Sequence, residues 1–326
     1  MLERGAGLDK PRYVLADSLV LEKPRDFSFF LTASVYNFSW WFNGEKLFVP
    51  LGDAVLVFRD IGSEVEVSVY TRPSADSDTV DRAAEYARHI LGLGEDLSDF
   101  YAIALRDPLL SQSIDFLRGL RVRASTPWLA TVVGICQQNA SFKQGWRMFY
   151  NFLKMLGSRV VVEGSEVVVP PRPEDLGENA ASLLREAGFG YRVSAVLGVA
   201  RVFEKNPGLD SWGASPGELE EQLLSVKGVG HYTSRLALVL SLRVYDRPPI
   251  DRWLKEIARR VYGIADARDV ERVYTSVWDR WSGLAVFYTT VALDAEPLSA
   301  ALKRIENGLT RPDPGKLSPL TMWRYL

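Results

Sequence analysis

The hydrophobic period of the chain changes once, near residue 72, and that change sets its architecture. Between residues 18 and 71 the apolar residues fall in short, β-branched or alternating runs: LFVPL at 47–51, AVLVFRD at 54–60 and EVEVSVYT at 64–71. Asn-Gly, Gly-Asp and Ile-Gly-Ser turns separate them, the pattern of consecutive antiparallel strands. The run RPSADSD (residues 72–78) breaks the pattern and reads as a boundary. Beyond it TVDRAAEYARHILGL repeats its apolar residues near every 3.6 positions, with Asp81 in the first turn. The expectation is an α+β protein, with a small antiparallel β domain over residues 1–75, a mainly helical domain over 76–310 and a Pro-rich tail over 311–326. At 326 residues the chain is long enough for two domains.

The helical part is interrupted twice. Within STPWLATVVGICQQNASFKQGWRMFYNFLKMLG the polar triplet Gln137-Gln138-Asn139 marks a break between two helices, and SRVVVEGSEVVVPPRP reads as a hairpin turning on Gly164-Ser165. The bulk composition removes several function classes. A single cysteine, Cys136, excludes a disulfide framework, a multi-cysteine zinc site and a four-cysteine iron–sulfur cluster. The first residues lack an apolar signal core, and no run of 18 apolar residues exists, so no membrane association and a cytoplasmic location are expected. Net charge is −2, yet between Arg118 and Arg159 the charged residues are all basic: Arg118, Arg121, Arg123, Lys143, Arg147, Lys154 and Arg159. Such a stretch makes either a local positive face or an ordinary solvated helix surface.

One short segment carries the chemistry. Lys227-Gly228-Val229-Gly230 joins two helical patterns, and the helix after Gly230 starts without a Ser, Asp or Asn cap. Free N–H groups and the helix dipole at such an end suit an anion, with Lys227 at hand, although a plain helix–turn–helix connection has the same sequence. About twenty positions later Pro248-Pro249-Ile250 leads into Asp251 at the start of another helix. By position alone Asp251 is an N-cap.

Together these residues resemble the helix-hairpin-helix, Gly-Pro-Asp superfamily of DNA glycosylases, over roughly residues 18–300. PWLATVVGICQQNASFKQ, AGFGYRVSAVLGVAR and WSGLAVFYTTVALDAEP resemble segments of its 8-oxoguanine glycosylases, and LTASVYNFSWWFNGEKLFVPL resembles the small β domain these share with alkylbase glycosylases. The resemblance implies a base-excision repair enzyme that acts on duplex DNA, flips out a damaged base and cleaves its N-glycosidic bond, with Asp251 stabilising positive charge on the sugar. It implies phosphate binding at Lys227, Gly228, Val229, Gly230 and His231. It also implies an optional monovalent cation on the carbonyls of Leu224, Val226 and Val229, no required cofactor, and action as a monomer. Asn139 and Tyr191 match positions that fill the gap and wedge the duplex. A helix break and a packed aromatic are the alternatives there.

The pattern also has departures. Where bifunctional members carry a nucleophilic lysine this chain has Tyr232, so hydrolysis by water with little or no strand nicking is expected. An aromatic residue at that place resembles the base-stacking wall of alkylbase glycosylases. Val35, Val286 and Thr290 replace residues of the 8-oxoguanine pocket, and Trp253 replaces a phosphate-binding histidine. The expected base pocket is Tyr232, Leu236, Val286 and Thr290, leaning toward alkylated purines. 8-Oxoguanine excision, or DNA binding without catalysis, are the alternatives.

Overall fold

The structure is a computed structural model that describes residues 12–73 and 80–326. Residues 74–78 of the expected boundary at 72–78, and the N-terminal residues 1–11, lie outside the described part. Four strands, β1 (Val14–Glu22), β2 (Lys46–Leu51), β3 (Ala54–Asp60) and β4 (Glu64–Thr71), form an antiparallel sheet in the order β1-β4-β3-β2. A short helix, α1 (Phe29–Ser34), lies between β1 and β2. The helical part contains α2 (Ala83–Leu91), α3 (Ser98–Ala104), α4 (Ile114–Leu117), α5 (Pro127–Gln137) and α6 (Phe142–Leu156). A second hairpin, β5 (Ser158–Val162) with β6 (Ser165–Val169), forms where the sequence predicts one, but its turn is Glu163-Gly164 rather than Gly164-Ser165, because Glu163 takes a left-handed backbone and Ser165 already pairs with Val162. Then follow α7 (Ala180–Glu186), α8 (Val193–Lys205), α9 (Pro216–Leu224), α10 (His231–Leu242), α11 (Arg252–Tyr262), α12 (Val270–Trp278), α13 (Ser282–Ala292) and α14 (Leu298–Glu306).

The strand alternation expected for a half-exposed sheet does not hold for β3. Leu56 and Phe58 face a core shared with Phe29, Ala87, Ile90 and Leu91, while Val55 and Val57 face a second core shared with Trp146, Phe149 and the β5–β6 hairpin. The sheet is therefore covered on both sides. Helix α2, which follows the expected boundary, packs on the sheet. Glu163 in the second hairpin ties the two parts electrostatically, accepting from Lys46 at 2.8 Å, Arg59 at 2.7 Å and Tyr70 at 2.8 Å.

A third core gathers α3, α4 and α11 to α13 around Phe100, Trp278 and Tyr288. The residues expected as a tail fold back onto the first part of the chain. Trp323 meets the Phe42 ring at 5.1 Å, Met322 is fully buried, and the N–H groups of Tyr36 and Ser39 donate to Pro319 and Leu326 carbonyls at 2.8 and 3.0 Å.

The basic stretch needs correction as a single positive face. Arg121 is fully buried and paired with Asp26 at 3.1 Å, and Arg123 points inward. Arg118 and Arg159 reach Asp115 and Glu166, which leaves Lys143, Arg147 and Lys154 on α6 as the surface cations of the segment. Side-chain entropy and packing place guanidinium groups by their partners, which a one-dimensional charge run does not contain.

Candidate active site

The glycine turn is a tight hairpin between α9 and α10. Val226 N–H donates to Leu223 O at 3.1 Å and Val229 N–H to Val226 O at 3.0 Å. Gly228 has φ +95°, and a Cβ there would stand 3.3 Å from the Ala195 Cβ, so a side chain is disfavoured both by conformation and by space. Val229 is buried as the anchor of the turn, while Lys227, Gly228, Gly230 and His231 are exposed. Helix α10 begins at His231 with Gly230 as N-cap and no side-chain cap, so its first N–H groups face outward.

Two other segments meet this turn. Gln138 Nε2 donates to Gly228 O at 2.9 Å and to Thr233 Oγ1 at 2.7 Å. The approach of α5 to α10 depends on Gly134, since a Cβ there would lie 3.0 Å from Thr233 Cγ2. Asn139 takes φ +46° and donates to the Tyr191 hydroxyl at 3.4 Å. Tyr191 is 65% exposed, and the Arg192 guanidinium lies 4.4 Å from its ring and donates to Gln138 O. The structure thus brings Asn139, Tyr191 and the hairpin residues onto one exposed face. The helix-break alternative for Asn139 is also realised, because its left-handed backbone separates α5 from α6.

Beside that face opens a cavity of about 380 Å³, within the range of about 300–1,000 Å³ typical of small-molecule sites. It lies between two cores, with Trp146 and Phe149 from one and Leu254 and Phe287 from the other. Asp251, Tyr232, Leu236, Val286 and Thr290 all line it, as do Val35 and Trp253. Asp251 does cap α11: its Oδ1 accepts from Leu254 N–H at 2.7 Å. The same carboxylate lies in the cavity wall, so the cap and the functional reading describe one group. No lysine, arginine or histidine forms an ion pair with Asp251 among the described residues. Burial pushes its pKa above the ordinary carboxylate value, against a smaller downward pull from the backbone N–H groups of α11. Trp253, whose Nε1 donates to Glu296 O at 2.9 Å, fills wall space rather than facing a phosphate.

Several lining residues escaped the sequence reading. Tyr36 sits at φ +54°, in a conformation rare for an aromatic, with its ring stacked on Trp146 at 5.3 Å. Phe142 and Phe287 extend this aromatic wall, and burial raises the pKa of both tyrosine hydroxyls, Tyr36 and Tyr232. Arg123 and Gln137 also line the cavity. The aromatic density of VYNFSWWF was visible in the sequence, but nothing in its spacing singled out Tyr36.

No protein-family model matches the chain. An N-glycosylase/DNA lyase of Saccharomyces cerevisiae is 27% identical over 162 residues, 45% of this chain and 43% of that protein, so the match spans less than half of the yeast relative. A DNA-3-methyladenine glycosylase of Bacillus subtilis is 24% identical over 263 residues, 72% of this chain and 83% of that protein. Among solved structures, the 3-methyladenine DNA-glycosylase of Archaeoglobus fulgidus superposes with a TM-score of 0.68 at 17% identity, covering 83% of this chain and 96% of that one. The 8-oxoguanine glycosylase/lyase of Clostridium acetobutylicum, in complex with double-stranded DNA, superposes with a TM-score of 0.63 at 18% identity, covering 92% of this chain and 100% of that one. With a small antiparallel sheet, a helical body, and a glycine hairpin set before a cavity-lining aspartate, the chain has the fold of the helix-hairpin-helix, Gly-Pro-Asp DNA glycosylases.

Proposed function

We propose that the protein is a monofunctional DNA glycosylase of base excision repair, acting as a monomer on duplex DNA. The observation that carries this reading is the Asp251 carboxylate: partly buried, free of any ion-pair partner among the described residues, and set in the wall of a base-sized aromatic cavity. The exposed N–H groups at Gly230 and His231, with Lys227, would hold a backbone phosphate. Asn139 and Tyr191, adjacent on the same face, would enter the space left when a base is extruded. The base would then lie in the cavity against Tyr232, and the sugar would face Asp251.

Breaking the N-glycosidic bond builds positive charge on the deoxyribose. A carboxylate held by Leu254 N–H is already oriented and stabilises that charge without reorganisation, and it can orient a water for attack. The bond pair leaves with the base, the water oxygen forms the new bond to the sugar carbon, and the proton that water releases ends on the departing base. Among the described residues no lysine lines the cavity, so no amine is available to form a Schiff base there. A monovalent cation at the carbonyls of Leu224, Val226 and Val229 would add positive charge at the phosphate. The Gly228 turn, which lets Val226 and Val229 approach one another, supports that reading. The aromatic Tyr232 in place of a lysine supports a base stacked on its ring, either an alkylated purine or 8-oxoguanine. The test is incubation with duplexes that each carry one damaged base, scored for abasic sites, with a parallel borohydride-trapping reaction. Abasic sites without a trapped adduct are expected. A trapped adduct would sink the monofunctional reading, and no release from any lesion would sink the glycosylase reading.

A further inference from the structure

Two arginines two positions apart line the same cavity and differ in one respect. Arg121 is fully buried and neutralised by Asp26, with a further bond to the Tyr101 hydroxyl at 3.0 Å. Arg123 has no carboxylate partner among the described residues. Its single hydrogen bond runs from Nη2 to the backbone O of Tyr36 at 3.1 Å, and its Nε is buried with no partner. Its guanidinium lies 5.9 Å from the Trp41 ring, another lining residue, and burial without a counter-ion lowers its pKa to about 10, so it stays charged at neutral pH. Leaving a guanidinium so placed is costly unless something arrives to accept its N–H groups.

A second unpartnered donor faces the same space. Gln137 lines the cavity, its Nε2 is buried without a hydrogen-bond partner, and it packs against Gly145, where any Cβ would come within 2.6 Å of the amide. The remaining charges of the cavity are accounted for. Glu296 is held by Arg304 at 3.6 Å and Lys316 at 3.1 Å, and Asp251 is the group assigned above to the sugar. Around the base the cavity therefore offers one cationic fork and one amide, beside the hydroxyls of Tyr36 and Tyr232.

We propose that Arg123 and Gln137 are specificity-determining residues that read the extruded base through a carbonyl oxygen, so that the cavity accepts a neutral carbonyl-bearing base and rejects a positively charged alkylpurine. This rests on the glycosylase reading above and narrows it. A guanidinium gives charge-assisted hydrogen bonds to a carbonyl or ring nitrogen acceptor, and it repels a base that is itself a cation. Tyr232 then serves as a stacking wall for a neutral ring.

The experiment compares wild type, Arg123→Met, Gln137→Leu and Arg123→Lys in single-turnover excision. The substrates are duplexes holding hypoxanthine or 8-oxoguanine (neutral, with carbonyls) or 1,N6-ethenoadenine (neutral, without one), and methylated DNA releasing 3-methyladenine (a cation when bound in DNA). Wild type is expected to favour the carbonyl-bearing bases. Arg123→Met should cut their excision roughly 10–100-fold, the worth of a lost hydrogen bond to a charged donor, and leave ethenoadenine within about threefold. The same variant should raise release of 3-methyladenine. Gln137→Leu should show a smaller loss confined to the carbonyl-bearing bases. Arg123→Lys keeps the charge without the fork, so it serves if the methionine variant melts early, and it should retain rejection of the cationic base. Equal losses on all substrates, or wild-type preference for 3-methyladenine, would overturn the assignment while leaving the glycosylase reading intact. No excision of any base by wild type would instead remove the reading on which it rests.

Discussion

The N-termini of α10 and α11 have the same backbone and opposite chemistry. Gly230 and Asp251, their N-caps, both take extended conformations, with φ −120° and ψ −178° in one and φ −98° and ψ −177° in the other. One carries no side chain and leaves its helix N–H groups to the outside. The other carries a carboxylate that satisfies its own helix and faces a cavity. Since a cap contributes only about 1 kcal/mol, stability alone does not dictate either choice. On the proposed function, what separates them is where the anion comes from: outside the protein at α10, inside it at α11.

The sharpest way to break that comparison is Asp251→Asn. Asparagine caps as well as aspartate, so a purely structural carboxylate predicts unchanged activity. Loss of a preorganised charge predicts single-turnover excision lower by roughly 10²–10³, about 3–4 kcal/mol, with DNA affinity kept. Melting temperature at pH 7 should hold or rise. The folded-state pKa of Asp251 is raised, so the folded protein binds more protons than the unfolded chain above the ordinary carboxylate pKa, and stability is lost as pH climbs through that window. The neutral variant escapes that loss. Near wild-type excision by this variant would end the catalytic reading.

A second variant moves the internal anion to the outer helix. Gly230 has an extended backbone that any residue adopts, and nothing lies within 4 Å of the place a Cβ would occupy. Gly230→Asp should therefore fold, shift stability by only a few tenths of a kcal/mol, and weaken duplex binding by about tenfold by occupying the N–H groups with a repelling charge. Affinity measured by fluorescence anisotropy checks it. Unchanged affinity would show that phosphate does not bind there.

The smallest effect is the pH profile. If Asp251 acts in its ionised form, as proposed, the rate should fall on acidification with a midpoint above the ordinary carboxylate value. A rate that stays flat down to pH 4 would place the essential ionisation elsewhere.

Both N-termini were legible in the sequence because glycine, proline and aspartate act locally. Gly228 reports a positive φ, and Pro249-Ile250-Asp251 reports a helix start. The three later strands of the sheet were legible as well, through short β-branched or alternating runs set off by glycine turns. Strand β1 was not, because its residues are almost all exposed at the sheet edge and carry little alternation. Arg121 and Arg123 looked alike in a run of cations, and only their three-dimensional partners distinguish them. Tyr36 was hidden because its placement depends on a left-handed backbone that no glycine or asparagine advertises.

The fold-back of the C-terminal segment has an evolutionary consequence. Pro319 receives the Tyr36 N–H, and the Tyr36 carbonyl receives Arg123. A substitution near Pro319 is remote in the chain from Asp251, yet it is only two hydrogen bonds removed from the group proposed to read the base. On that proposal, variation in this segment would retune which lesions are admitted while leaving Asp251 untouched. Selection for a new substrate therefore has a path through residues that look, in one dimension, like a disposable end.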